Sequence, residues 1–150
     1  LGTGIISTAN KADMVSEETY AKAVAQMAEL NRAGSEIAGK YDVHSITDVT
    51  GFGLMGHTGE MANGGNVTAV IESANVPLLP EVLSLAEIGI LPEGMYRNRN
   101  FAESFSESAP NVTRAMMDVL FDPQTSGGLL LAVAEKDAPI RYRTPRASAM

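Results

Sequence analysis

The first nine positions gather Leu1, Ile5, Ile6 and Ala9 without a polar alternation. With Gly2 and Gly4 among them, allowing close backbone approach, the run predicts a buried strand over 1–9. Ser16 followed by Glu17 and Glu18 is a helix start, because a hydroxyl can accept from the free N–H groups and the acids suit the positive end of the helix dipole. Tyr20, Val24, Met27 and Ala28 then recur at helical spacing. Ile37 and Ala38 extend that side to a stop at Gly39, with a break predicted near Ala33-Gly34. Val43 to Val49 is rich in β-branched residues and predicts a strand ending at Asp48 or Val49.

The next segment, Phe52 to Ala62, predicts a helix with Thr50 as its N-cap and Gly64-Gly65 as its stop. It holds Gly53, Gly56 and Gly59, each costing about 1 kcal/mol against Ala in a helix interior. Glycines at i, i+3 and i+6 make sense where one side of the helix lies against another backbone or a ligand. Beyond it, 66–72 predicts a third strand, 80–88 a short helix, 109–120 a helix capped near Pro110-Asn111, and 129–133 a last buried strand. Strands alternating with helices give an α/β (α+β) class, a layered mixed sheet covered by helices.

Composition narrows the function classes. The 150 residues are 45% hydrophobic and 19% charged, enough for one domain with a sizeable core. A net charge of −7 opposes a nucleic-acid partner, which needs a clustered basic face. The absence of Cys removes disulfides, thiolate metal sites and a cysteine nucleophile from this chain. The longest apolar run, Leu129 to Ala134, is far short of the roughly 20 residues of a membrane helix. No membrane partner and a soluble, cytoplasmic protein are the expectation. The opening at Leu1, with no polar lead-in, reads as part of something larger. Residues 137–150, Arg- and Pro-rich, read as an atypical tail outside the 1–136 domain.

Candidate chemistry concentrates in two loops. Asp48-Val49-Thr50-Gly51-Phe52-Gly53 sets a carboxylate at a strand end just before a Gly-rich turn that opens a helix, the position where layered α/β folds bind ligands. Such a turn offers backbone N–H groups to a phosphate, and the carboxylate can hold the Mg²⁺ that bridges phosphate oxygens. Asp48 read alone is equally a turn or surface carboxylate, since the stretch matches neither a P-loop nor a dinucleotide fingerprint. Asp122-Pro-Gln-Thr-Ser-Gly-Gly128 reads first as strand-entry geometry, and second as a source of hydrogen-bonding groups from Gln124, Thr125 and Ser126 at the edge of Asp48. Tyr96 to Asn100 is a basic spot whose arginines, on a loop, are solvated or salt-bridged. His44 and His57, without a third ligand at metal spacing, read as structural, as do the scattered methionines.

Four of these segments together resemble the C-terminal domain of the selenophosphate synthetase (selenide, water dikinase) family, within the AIR synthase-related ATP-binding superfamily. They are Leu1-Gly-Thr-Gly-Ile-Ile6, Thr47 to His57 with Glu60-Met61, Arg97-Asn98, and Asp122 to Leu130. The resemblance implies an AIR synthase C-terminal domain-like fold. It also implies an enzyme converting ATP, selenide and water to selenophosphate, AMP and phosphate, Mg²⁺-dependent and homodimeric. By that resemblance Asp48 is a Mg²⁺ ligand, and Thr50 and Gly51 are nucleotide-binding. The family's other metal ligands, its reactive Lys and its Cys or selenocysteine belong to an N-terminal domain, so the resemblance implies that these 150 residues alone are inactive. The open alternative is a non-catalytic scaffold of the same fold.

Overall fold

Capping and apolar spacing account for most of the elements in a computed structural model of the protein, which describes residues 1–138. Helix α1 is Thr3–Lys11, and helix α2, Glu17–Ala28, starts where the sequence predicts, with the Ser16 hydroxyl accepting from the N–H of Thr19 at 3.2 Å. The Glu81 carboxylate closes the same helix end. It accepts from the Ser16 hydroxyl and from Thr19 Oγ1 at 2.6 Å, bonds that hold its pKa below the ordinary value. A break at 29–31 separates α2 from α3, Arg32–Ala38, which ends at Gly39. The break falls earlier than predicted and Gly34 lies inside α3, because Asn31 turns away to give its side-chain amide to the carbonyl of Gly127 at 2.8 Å.

Strand β1, Val43–Asp48, leads into helix α4, Gly53–Gly65, and the left-handed backbone of Asn66 ends that helix. Helices α5, Val82–Glu87, α6, Glu93–Ala102, and α7, Arg114–Leu120, precede strand β2, Leu129–Val133. Among the described residues the sheet is β1 and β2 alone, antiparallel, with Asp48 opposite Leu129 and an irregularity between Val43 and Ser45. Among the described residues, seven α-helices beside an antiparallel sheet make the fold α+β.

Four sequence expectations are corrected. Residues 1–9 form a helix, not a strand: Ile5, Ile6 and Ala9 lie on one helical face and are fully buried. The stretch at 66–72 makes no strand among the described residues, where Val67 and Val70 are exposed and the sheet is antiparallel rather than mixed. Tyr96 to Asn100 belongs to a helix, α6, whose buried positions Met95, Asn98 and Ala102 recur at helical spacing. Helix α7 begins at Thr113, whose hydroxyl accepts from Met116, and not near Pro110-Asn111. Of the tail predicted at 137–150, the part from Pro139 onward lies outside the described residues.

The main core joins Ile5, Ile6 and Ala9 of α1 to Ala23 of α2, Val82, Leu85 and Ala86 of α5, and Ala115 and Val119 of α7. Each fully buried Ile or Val there contributes roughly 1.5–3 kcal/mol. A second cluster, Met95, Ala102 and Phe121 with Met55, Leu91 and Met117, packs α6 and α7 under α4. The seam between the two clusters carries the start of α4 and the loop before β2.

Candidate functional site

Antiparallel pairing places the end of β1 beside the start of β2, so the two polar loops of the sequence meet. The N–H of Val49 donates to the carbonyl of Gly128 at 2.9 Å, and that of Gln124 to the carbonyl of Thr50 at 2.9 Å. Gly127 passes so close to the Val49 carbonyl that a Cβ there has no room. From a third side, Asn98 Nδ2 donates to the carbonyls of Gly51 at 2.8 Å and Phe121 at 2.9 Å. Gly53 adopts φ 70°, and a Cβ on it would stand 2.8 Å from the Phe121 backbone. The turn from Val49 to Gly53 is therefore tied to two other segments through its own backbone.

What that framework presents is a small polar face. Asp48 is exposed at the strand end, Thr50 is half-buried, and Gly51 is exposed with open space on its α-carbon. Thr50 Oγ1 lies 3.3 Å from His57 Nε2, and His57 Nδ1 lies 3.0 Å from Glu60 Oε2. His57, one turn into α4, is 9% exposed, with the Phe52 ring tilted against it at 5.6 Å. Of the three glycines of α4, Gly53 meets another backbone as the sequence predicts, whereas Gly56 and Gly59 make room for the side chains of Phe52 and Phe105.

The second loop is spent differently. Asp122 is fully buried; its Oδ2 accepts from the N–H of Gly4 at 3.0 Å and from Gln124 Nε2 at 2.9 Å. Gln124 Oε1 accepts from the N–H groups of Gly2 and Thr3 at 3.0 and 3.3 Å, and Thr125 N–H donates to the Thr3 hydroxyl. Of the three hydrogen-bonding residues named from sequence, Gln124 thus caps α1 from a distance, Thr125 binds the Thr3 side chain through its backbone, and Ser126 is exposed. Burial raises the Asp122 pKa to about 7 against the lowering effect of the N–H groups of Ile5 and Gly4 and of Gln124. The arginines of the basic spot pair with acids: Arg97 with Glu93 on the same helix, and Arg99 with buried Asp118 at 2.7 Å.

The structure thus brings Asp48, Thr50 and Gly51 together in one turn. His57, expected to be structural, bonds Thr50 and Glu60, and Asn98 ties the turn to α6. The i, i+3 spacing of His57 and Glu60 was the available signal for the first; nothing local signals the second. A Mg²⁺ ion takes oxygen ligands, and Asp48 and Thr50 supply that chemistry at a helix start suited to phosphate. No group of three or more His, Cys, Asp or Glu that could hold a metal ion occurs among the described residues. No helix among them is long and apolar enough to cross a membrane.

Comparison with known proteins adds a lineage. The family model described as AIR synthase related protein, C-terminal domain, matches residues 1–142. Selenide, water dikinase 2 of Peptoclostridium acidaminophilum is 46% identical over 138 residues, covering 92% of this chain and 40% of that protein. The selenide, water dikinases of Clostridioides difficile strain 630 and of Treponema denticola are each 43% identical, over 136 and 142 residues, and are covered to 39% and 40% of their length. The chain spans about two-fifths of the length of these relatives.

Proposed function

The chain belongs to the family of AIR synthase related proteins, C-terminal domain, and from that premise we propose that it is the C-terminal domain of a selenide, water dikinase. In this reading the full-length protein uses ATP, selenide and water to make selenophosphate, AMP and phosphate. The observation that carries it is the tied turn at the end of β1, where Asp48, Thr50 and Gly51 stand together, in a chain whose relatives bear that enzyme's name.

Phosphoryl transfer depends on positioning and on stabilising developing charge. The Asp48 carboxylate would hold Mg²⁺, which when bound offsets the charge of the nucleotide phosphates. The backbone of Gly51 and the start of α4 favour phosphate oxygens, and Asn98 keeps that backbone in place. One carboxylate does not enclose a cation, so the remaining ligands, the reactive Lys and the Cys or selenocysteine are assigned to an N-terminal domain, and the 150 residues alone would be inactive. The homodimer and the cytoplasmic location belong to the same reading.

The test is selenide-dependent AMP formation by the full-length protein, wild type against Asp48→Asn. AMP formed only with selenide, and largely lost in the variant, supports the proposal. Full activity in the variant returns Asp48 to a turn residue, and no selenide-dependent turnover in the wild type favours the scaffold reading.

A further inference from the structure

The chain of side chains from Thr50 through His57 to Glu60 decides how the Thr50 hydroxyl can be used. A carboxylate has no hydrogen to give, so in the 3.0 Å contact with Glu60 it is His57 Nδ1 that donates. A neutral imidazole carries one N–H, which leaves Nε2 as an acceptor facing Thr50 at 3.3 Å. The Thr50 O–H is then the donor, and the only hydrogen-bonding capacity left to its oxygen is its lone pairs. Burial of His57 under the Phe52 ring holds the imidazole in that orientation.

We propose that Glu60 and His57 are positioning residues that make Thr50 a pure acceptor, so that its oxygen serves a divalent cation or the water bound to one and not a phosphate oxygen. The turn then divides its labour: Asp48 and Thr50 serve the cation, and the backbone N–H groups beyond them serve the anion. The proposal rests on the nucleotide-site reading above and assigns a role to two residues that do not themselves touch the ligand. Glu60 can be varied without disturbing the core, since its side chain is half exposed.

The experiment uses the full-length protein and two readouts. The first is the ¹⁵N spectrum of the His57 imidazole, assigned by its loss in His57→Gln: the proton is expected on Nδ1 in the wild type and in Glu60→Gln, whose amide oxygen still accepts, and is expected to leave Nδ1 in Glu60→Ala. The second is the Mg²⁺ concentration that half-saturates ATP binding. Thr50→Ser and Glu60→Gln should match the wild type, Thr50→Val and Glu60→Ala should each require about five- to ten-fold more Mg²⁺, and the double variant no more than Thr50→Val alone. A wild-type proton on Nε2, an unchanged Thr50→Val, or effects that multiply in the double variant would overturn the proposal. An Asp48→Asn protein with wild-type Mg²⁺ dependence would instead remove the site reading, while the imidazole spectrum still decides the orientation of Thr50.

Discussion

Asp122 holds the backbone N–H of Gly4 at 3.0 Å, across 118 residues of chain, with a carboxyl group that has no exposed surface. Oδ1 of the same carboxyl has no hydrogen-bond partner among the described residues. Its pKa is raised from 3.8 to about 7, so between those values folding takes up a proton. The stability due to the neutral form is complete below about pH 4, declines as the pH rises and levels off above about pH 7. Asp122→Asn keeps an acceptor for Gly4 and cannot ionise. Its denaturation free energy should therefore gain on the wild type across that window, by on the order of 2–4 kcal/mol at pH 8. Parallel pH curves for the two proteins would contradict this.

Neighbouring glycines in the loop before β2 should respond unequally to the same substitution. Gly127→Ala drives a Cβ into the Val49 carbonyl, whereas Gly128→Ala meets nothing within 4 Å. Urea denaturation should show a loss of about 2 kcal/mol or more for the first and under about 1 kcal/mol for the second.

Among the described residues, Asn98 is the side chain that joins the Gly51 and Phe121 carbonyls. Asn98→Ala should cost about 2 kcal/mol through two carbonyls losing their donor, and Asn98→Asp more, because it sets a carboxylate against two acceptors. If the aspartate variant is as stable as the alanine one, the amide is not the tie described.

The two arginines on Asp118 differ in burial: the Arg99 side chain is 23% exposed and that of Arg114 72%, over a carboxylate that is 5% exposed. Arg99→Ala leaves the buried charge short of its main partner and should cost about 3 kcal/mol, whereas Arg114→Ala should cost under about 1 kcal/mol in the same denaturation assay.

Features set by neighbours in sequence were legible before the structure. The Ser16 cap, the strand ending at Asp48, the stop at Gly39 and the strand from Leu129 all follow from local side-chain chemistry. The site turn was legible for the same reason, since carboxylate, hydroxyl and glycine are consecutive. Helix α1 was not, because its cap is made by Asp122 and Gln124, and the short apolar run suits a strand equally well. Helix α6 hid behind its polar residues: Asn98, buried for its two bonds, occupies a core position where a pattern reading expects an apolar one. The unpaired stretch at 66–72 shows the converse, an apolar, β-branched pattern that predicts a strand without supplying a partner.

The cap on α1 also sets an order of events for folding. The groups that satisfy Gly2, Thr3 and Gly4 lie 118 to 122 residues downstream, so the loop closed by these bonds spans most of the described chain. Such closure carries a large entropic cost that must be met before its contacts stabilise anything, and it slows folding. During synthesis α1 emerges before the rest of this domain yet gains its N-terminal partners only after Asp122 and Gln124 have left the ribosome. The earliest helix of this domain is thus among the last to be completed, and a chain cut short before Asp122 leaves it without its cap.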